Sequence, residues 1–351
     1  MKTMLNIACL PVAGVENPYQ SLMIEGLNKS GNIHAFNGIN NRFLGILKTA
    51  LQLKSDYIHF DWIQSYYERK KLWMSILLLP FFYFQVLFVK YFTKTKLVWT
   101  LHNVLPHNVK HIWLHKLVRR FFASKCHWIR VFSESSIDRA VTQLGVSKDK
   151  FKVIPEGDYV AKYPNTVTKE EARKILDIHT SKIVLLSLGF IKPYKGLENL
   201  IKTFSEIENS NMELVIAGQS MDSIYTEGLK KLIKSNSKPL IHLIDNFIPT
   251  NKLQDFYNAA DIVVLPFNKI ENSGSVIMAM GFKKAVLAPK MGVLEKRLTD
   301  QSFLLYDDLQ EGLKVFSNLN KDYLYEIGKK NYLALKKYKW KDFEVAFSCK
   351  E

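Results

Sequence analysis

Asn272, Ser273, Gly274 and Ser275 stand where one apolar run, Ile262 to Phe267, hands over to another, Val276 to Phe282. Ser and Asn suit a helix N-cap, and Gly lets a ligand approach the backbone closely. The first amides of a helix lack partners and carry partial positive charge, so such a corner receives a phosphate. Upstream, GFIKPYKG (Gly189 to Gly196) places Lys192 and Lys195 before another apolar helix, Leu197 to Ile207. An ammonium there can meet a diphosphate oxygen as a mobile point charge. A capped helix alone is ordinary in a protein of alternating helices and strands. A cation opposite an amide-rich corner is what points to a diphosphate.

The amino-terminal half offers groups that could move a proton. Gly14, Glu16 and Asn17 follow the apolar strand Leu5 to Leu10; Asp61 follows the strand Tyr57 to Phe60, which contains His59; His102, Asn103 and His107 follow the strand Lys96 to Leu101. In a parallel sheet, ligands bind outside the carboxyl ends of strands. An imidazole at such an edge can hydrogen-bond a hydroxyl or take its proton near neutral pH. His102 is the first choice and His107 the second. Asp61, Glu16 and His102 are the candidate bases. The G-x-G-x-x-G dinucleotide fingerprint is absent.

The elements that must carry these loops alternate strand and helix along 351 residues, enough for two ordinary domains. A hydrophobic share of 47% with 23% charged residues describes a globular chain. Cys9, Cys126 and Cys349 are too scattered for a disulfide framework or a zinc site, which fits a reducing cytoplasm. The start, MKTMLNIACLPVAG, is better taken as a first strand than as a signal peptide. The 49 basic and 33 acidic residues leave a net charge of +16, a field that attracts nucleic acid, anionic membranes or phosphorylated substrates. No nucleic-acid recognition motif accompanies it. Leu72 to Phe92 is almost wholly apolar and near bilayer length, contains Pro80 and Gln85, and is flanked by Arg69, Lys70, Lys71, Lys90, Lys94 and Lys96. Buried against the sheet it would be a core helix. With spare apolar surface it would rest in an anionic membrane interface, which is the reading favoured here. Lys110 to Lys125 is a basic amphipathic helix whose Ile112, Leu114, Leu117, Val118 and Phe121 are available to one side, able to extend the same patch.

The stretch from Asp261 to Pro289 resembles the C-terminal half of family 4 glycosyltransferases, two-domain enzymes that use nucleotide sugars. The resemblance rests on Asp261, Pro266, Glu271, Gly274, Ala279, Met280 and Val286, and on Gly189, Lys195 and Gly196 upstream. The family's second glutamate is replaced, by Met278 or Ala279 depending on register, and Phe190 stands where it has arginine. The resemblance implies an α/β chain of the GT-B fold, two Rossmann-like domains with parallel sheets facing across a cleft. The expected divisions are 1–165 for the acceptor side, 166–335 for the donor side, and 336–351 returning to the first domain. It implies donor contacts at Gly14, Asn17, Gly189, Lys192, Lys195, Gly218, Asn246, Phe247, Glu271, Asn272, Ser273, Gly274 and Ser275. The expected reaction moves a sugar from a nucleotide-diphosphate sugar to a saccharide acceptor, linked to a polyprenyl diphosphate, in capsule or exopolysaccharide assembly. No cofactor, metal or nucleic acid is expected, and the enzyme is expected on the inner, cytoplasmic face of a membrane. A retaining reaction needs no base from the first domain, whereas an inverting one does. The incomplete glutamate pair leaves both open. The replaced motif residues also suit a weakly active subunit that binds nucleotide sugar, and the charge suits a membrane or nucleic-acid adaptor.

Overall fold

The computed structural model describes residues 4–14, 17–105, 110–207, 211–235, 240–268 and 273–348. Met1–Gly157 together with Tyr338–Glu351 forms one compact unit, and Asp158–Lys337 forms the second. The division thus falls ahead of the boundary expected after residue 165, and residues 158–165 join the second unit instead. Those residues are part of the second unit because Val160 packs so tightly on Gly281 that a Cβ there would collide with it. Lys336 pairs with Asp158 at 2.5 Å, which closes the same corner.

In the first unit β1 (Leu5–Leu10), α1 (Pro18–Asn28), β2 (Ile33–Asn37), α2 (Gly45–Gln52), β3 (Tyr57–Phe60) and α3 (Leu72–Phe92) come first. Then follow β4 (Lys96–Thr100), α4 (Ile112–Lys125), β5 (Trp128–Val131), α5 (Ile137–Leu144) and β6 (Phe151–Val153). The strands pair in parallel in the order β2-β1-β3-β4-β5-β6. Their short apolar runs suit a sheet covered on both faces. Phe122 of α4 meets Phe60 and Trp99 edge-on, at centroid distances of 5.0 and 5.6 Å.

Helix α3 is continuous through Pro80 and docks by one narrow stripe, Ser75, Phe82, Gln85, Val86 and Val89. Gln85 Oε1 accepts the Leu47 amide of α2 at 3.3 Å. Trp73, Leu77, Phe81, Phe84 and Phe92 are exposed, so the fully buried alternative does not hold. In α4 the buried face is Leu114, Val118 and Phe122, while Ile112, Trp113 and Leu117 face solvent. Its apolar residues therefore serve two faces instead of the single one expected.

The second unit runs α6 (Lys169–Ile175), β7 (Ile183–Leu188), α7 (Leu197–Ser205), β8 (Met212–Ala217), α8 (Ser223–Lys234), β9 (Leu240–Ile244) and α9 (Leu253–Ala259). It continues through β10 (Ile262–Val264), α10 (Gly274–Gly281), β11 (Ala285–Pro289), α11 (Val293–Arg297), β12 (Leu305–Tyr306), α12 (Leu309–Ser317) and α13 (Lys321–Leu335). Among the described residues its six strands lie in the order β12-β11-β10-β7-β8-β9. Asp261, at the amino end of β10, accepts the Arg173 guanidinium at 2.7 Å and the Val184 amide at 2.8 Å. It is a buried tie between α6 and the sheet, at the rim opposite the strands' carboxyl ends.

The last segment, a 3₁₀ turn at Trp340–Glu344 followed by α14 (Val345–Ser348), belongs to the first unit. A Cβ on Gly26 or Gly157 would strike Trp340, and Phe347 meets Trp128 at 5.1 Å.

Both sheets reverse their winding, between β1 and β3 in one unit and between β7 and β10 in the other. At such a reversal the connections leave toward opposite faces and a crevice opens at the carboxyl rim.

Gly328 in α13 tests the packing behind that second sheet, because a Cβ there would lie 1.9 Å from the Lys283 carbonyl oxygen. Alanine has the better helix propensity by about 1 kcal/mol. Gly328→Ala is nevertheless expected to lower stability by roughly 2 kcal/mol, from overpacking. Thermal unfolding checks the sign, and an unchanged or raised Tm would contradict this packing.

Candidate active site

At the β7/β10 reversal the two exiting loops are tied to each other. The Asn268 amide donates to the Tyr194 carbonyl at 3.2 Å. Gly196 takes φ +69, and a Cβ on it would collide with the Pro266 carbonyl, so only glycine allows the contact. Gly189 (φ +125) and Gly218 (φ +142) abut in the same way, since a Cβ on Gly218 would run into the Gly189 carbonyl.

Lys195 folds back beneath this corner. Its Nζ is 2.6 Å from where a Gly189 Cβ would be and 5.7 Å from the Phe267 ring centroid. It is 9% exposed, and burial, then the charge of Lys192, brings its pKa down to about 8. Lys192 lies over the Phe190 ring at 5.3 Å. The Lys192 charge therefore reaches the Lys195 ammonium and disfavours it, a cost that an anion between them would offset.

Ser273 Oγ caps α10 by accepting the Val276 amide at 3.4 Å, and the amides of Gly274 and Ser275 come first at the helix mouth. Gly274 is exposed, and a Cβ there would meet only Tyr159, at an ordinary 3.7 Å. Neither backbone strain nor packing demands glycine at that position, which leaves open approach as its physical meaning. Met278 and Ala279, the alternative replacements for the second glutamate, are both buried. Asn246 and Phe247 are exposed just past β9, the outermost strand on that side. Glu271 and Asn272 lie outside the described residues.

At the β1/β3 reversal the arrangement centres on Asp61. Its amide donates to the Leu10 carbonyl at 2.9 Å, and its carboxylate accepts Gln20 Nε2 and pairs with His102 Nε2, each at 3.1 Å. Gln20 also donates to the Pro11 carbonyl and accepts the Ala13 amide, so it clamps the β1 loop onto Asp61. Burial would raise the Asp61 pKa, but the nearby His59 and the hydrogen bonds from His102 and Gln20 hold it below the usual carboxylate value. His59 is fully buried against Thr100 at 2.7 Å, and burial lowers its pKa to about 4, so it is neutral at pH 7.

The His102 side chain is 16% exposed, whereas that of Asp61 has no exposed surface. Trp62 stacks on the imidazole at 4.9 Å and Tyr19 meets it edge-on at 4.8 Å. Arg130, fully buried, holds the Tyr19 hydroxyl at 3.0 Å and the Ile154 and Pro155 carbonyls at 2.8 Å. Asn17 uses its side-chain oxygen to cap α1 on the Tyr19 amide, and Gly14 is exposed beside it. The Asn17 oxygen assigned to a donor is thus engaged in capping. Glu16 and His107 lie outside the described residues. Sequence alone missed Gln20, Tyr19 and Arg130, since none stands at a strand's carboxyl end in a recognisable pattern.

Two doubly wound parallel sheets, each with its switch point furnished in this way, define the GT-B class. Residues 168–314, most of the second unit, match the family model described as glycosyl transferases group 1. It is 24% identical over 285 residues to a GDP-mannose:glycolipid 4-beta-D-mannosyltransferase of Xanthomonas campestris pv. campestris, covering 78% of this chain and 70% of that protein. The fold matches the HepE protein of Anabaena in complex with UDP and glucose at a TM-score of 0.72 and 15% identity, covering 98% of this chain and 99% of that one. Sucrose-phosphate synthase of Thermosynechococcus elongatus matches at 0.71 and 16%, covering 98% and 97%.

If Lys195 holds a diphosphate, nucleotide binding depends on its charge. Bound anion keeps the ammonium protonated, while the free protein loses that proton near pH 8. GDP and UDP affinity should therefore be flat below about pH 7 and fall by up to tenfold per unit above pH 8. Lys195→Ala should weaken binding roughly tenfold or more at pH 7 and remove the slope. Calorimetric titration across pH decides it, and an unaltered slope in the variant would contradict the assignment.

Proposed function

We propose that this chain transfers a hexosyl unit from a nucleotide-diphosphate sugar to a lipid-linked saccharide at an anionic membrane surface, in the assembly of a surface polysaccharide. The observation that carries the chemistry is the Asp61–His102 pair at the first unit's switch point. With Nε2–H donating to the Asp61 carboxylate, Nδ1 becomes the basic nitrogen of the ring. The acceptor hydroxyl oxygen attacks the anomeric carbon as its proton passes to His102, and the bond to the diphosphate oxygen breaks. Lys195 and the amides at the mouth of α10 take up the charge on the departing diphosphate. Asp61, without exposed surface, positions and stabilises the imidazolium and is not itself the group that meets the acceptor. Of the candidate bases, His102 is therefore the one assigned here.

An inverting reaction is the form that needs this base. The Xanthomonas relative is described by a 4-beta-mannosyl product from GDP-mannose, and a donor carrying its sugar in the α configuration yields β only by inversion. GDP-mannose is accordingly the first donor to test. His102→Ala should lower kcat by roughly 10²- to 10⁴-fold while leaving a GDP-induced melting shift intact. Asp61→Asn should fall between that variant and the native chain. The measurement is GDP release from GDP-mannose in the presence of bacterial lipid extract. A loss below tenfold in His102→Ala would favour a retaining reaction, and a melting shift without any turnover would favour a binding subunit.

Membrane attachment is supported by α3, which is long and apolar enough to cross a membrane by length and composition yet is docked on the sheet along one stripe. That docking suits a helix lying in the interface, its exposed aromatic residues among headgroups and the neighbouring lysines against anionic lipid. Replacing Trp73, Leu77 and Phe84 together by serine should reduce sedimentation with phosphatidylglycerol vesicles by at least tenfold. Equal sedimentation of the variant and the native chain would refute an α3-mediated attachment.

A further inference from the structure

A pocket of about 230 Å³ opens at the amino end of α3, lined by Glu68, Arg69, Lys70, Leu72, Ser75, Lys110, His111, Leu114 and His115. Three cations face one carboxylate. Burial, then the charge of Arg42, lowers the Arg69 pKa, so a further guanidinium stands near. The walls are ordered by their own bonds. Ser75 Oγ accepts the Arg69 amide at 2.9 Å, and the Tyr67 hydroxyl meets His115 Nδ1 at 2.9 Å. His115 Nε2 is 3.6 Å from Glu68, and burial with the charges of Arg119 and His111 lowers its pKa to about 4. The imidazole is therefore neutral at pH 7, and the positive charge comes from Arg69, Lys70 and Lys110.

Three facts say what this pocket takes. Its volume of about 230 Å³ has room for a diphosphate. Leu72 and Ser75 belong both to its wall and to the first turn of α3, so an anion seated here would have the exposed apolar face of α3 running directly away from it. It also adjoins the catalytic rim. Glu68 to Lys70 follow the turn after Asp61, and Arg119, one helical turn beyond His115, donates to the carbonyls of Asn103 and Val104 just behind His102.

We propose that this pocket holds the diphosphate of the isoprenoid-type carrier lipid on which the acceptor saccharide is built, its hydrocarbon lying along α3. The assignment rests on the lipid-linked acceptor proposed above. It adds that recognition is of the diphosphate, at named residues, and not of the membrane's bulk charge. A bulk phospholipid headgroup carries a single phosphoryl charge and has no reason to favour a pocket beside the catalytic loop. A diphosphate carrier must present its sugar there.

Farnesyl diphosphate is the probe, with the full chain and the fluorescence of exposed Trp73 and Trp113 as reporters. It should bind at least tenfold more tightly than farnesol and than inorganic pyrophosphate, since head and tail are both recognised. Arg69→Ala/Lys70→Ala/Lys110→Ala should weaken it tenfold or more while the GDP-induced melting shift, which reads the second unit, persists. Conversely, Trp73→Ser/Leu77→Ser/Phe84→Ser should bring its affinity down toward that of pyrophosphate. Farnesol binding as tightly as the diphosphate, or a triple basic variant that binds it normally, would overturn the proposal. So would phosphatidylglycerol vesicles that displace it at equal phosphate. Loss of turnover from GDP-mannose with farnesyl diphosphate binding intact would count against the proposed reaction alone.

Discussion

A parallel sheet that reverses its winding cannot close its carboxyl rim at the point of reversal. Each strand–helix crossover is right-handed, so the helices on either side of the first strand cover opposite faces and the loops between them part. This chain meets the constraint twice, at β1/β3 and at β7/β10. Each opening is floored by backbone groups that the sheet leaves over and walled by the loops that part there. The identity of the side chains follows from which opening they border. Lys195 and the head of α10 are cationic or amide-rich and suit an anion; Asp61, Gln20 and His102 form a connected acceptor–donor chain and suit proton movement.

The two openings are held by different physics. In the second unit, shape does most of it: Gly189, Gly196 and Gly218 allow carbonyls to approach where any side chain would collide. In the first, polar satisfaction does it. Gln20 spends its amide on Pro11, Ala13 and Asp61, and Arg130 ties Tyr19 to the chain leaving β6. Buried polar groups of this kind are costly unless every partner is present. That makes the first opening sensitive to single substitutions well away from the imidazole.

What the sequence disclosed follows the same division. Local signals were legible: the apolar runs of the strands, the Ser273 cap, Lys195 before its glycine, and the exceptional apolarity of Leu72 to Phe92. Each depends on neighbours within a few positions. Contacts that join distant segments were not legible. Asp61 could be placed at a strand end, but nothing in its neighbourhood announced Gln20 or His102, each 41 residues away. The division at Gly157 was missed for a similar reason, since what fastens Val160 is a glycine in α10. The two-sided burial of α4 was hidden because periodicity gives a stripe without saying which neighbour covers it.

The return of Trp340 to Gly26 and Gly157 bears on how the polypeptide acquires its shape while being made. Every part of the second unit is synthesised between the first unit's sheet and the aromatic plug that completes it. At ribosomal speeds of about 5–20 residues per second, the first sheet spends many seconds with the seat for Trp340, Phe343 and Phe347 empty. Its nascent form thus leaves apolar surface on both sides of the sheet, the empty seat against Tyr57, His59 and Trp128 on one face and the exposed side of α3 on the other, a species suited to early capture by chaperones or by lipid.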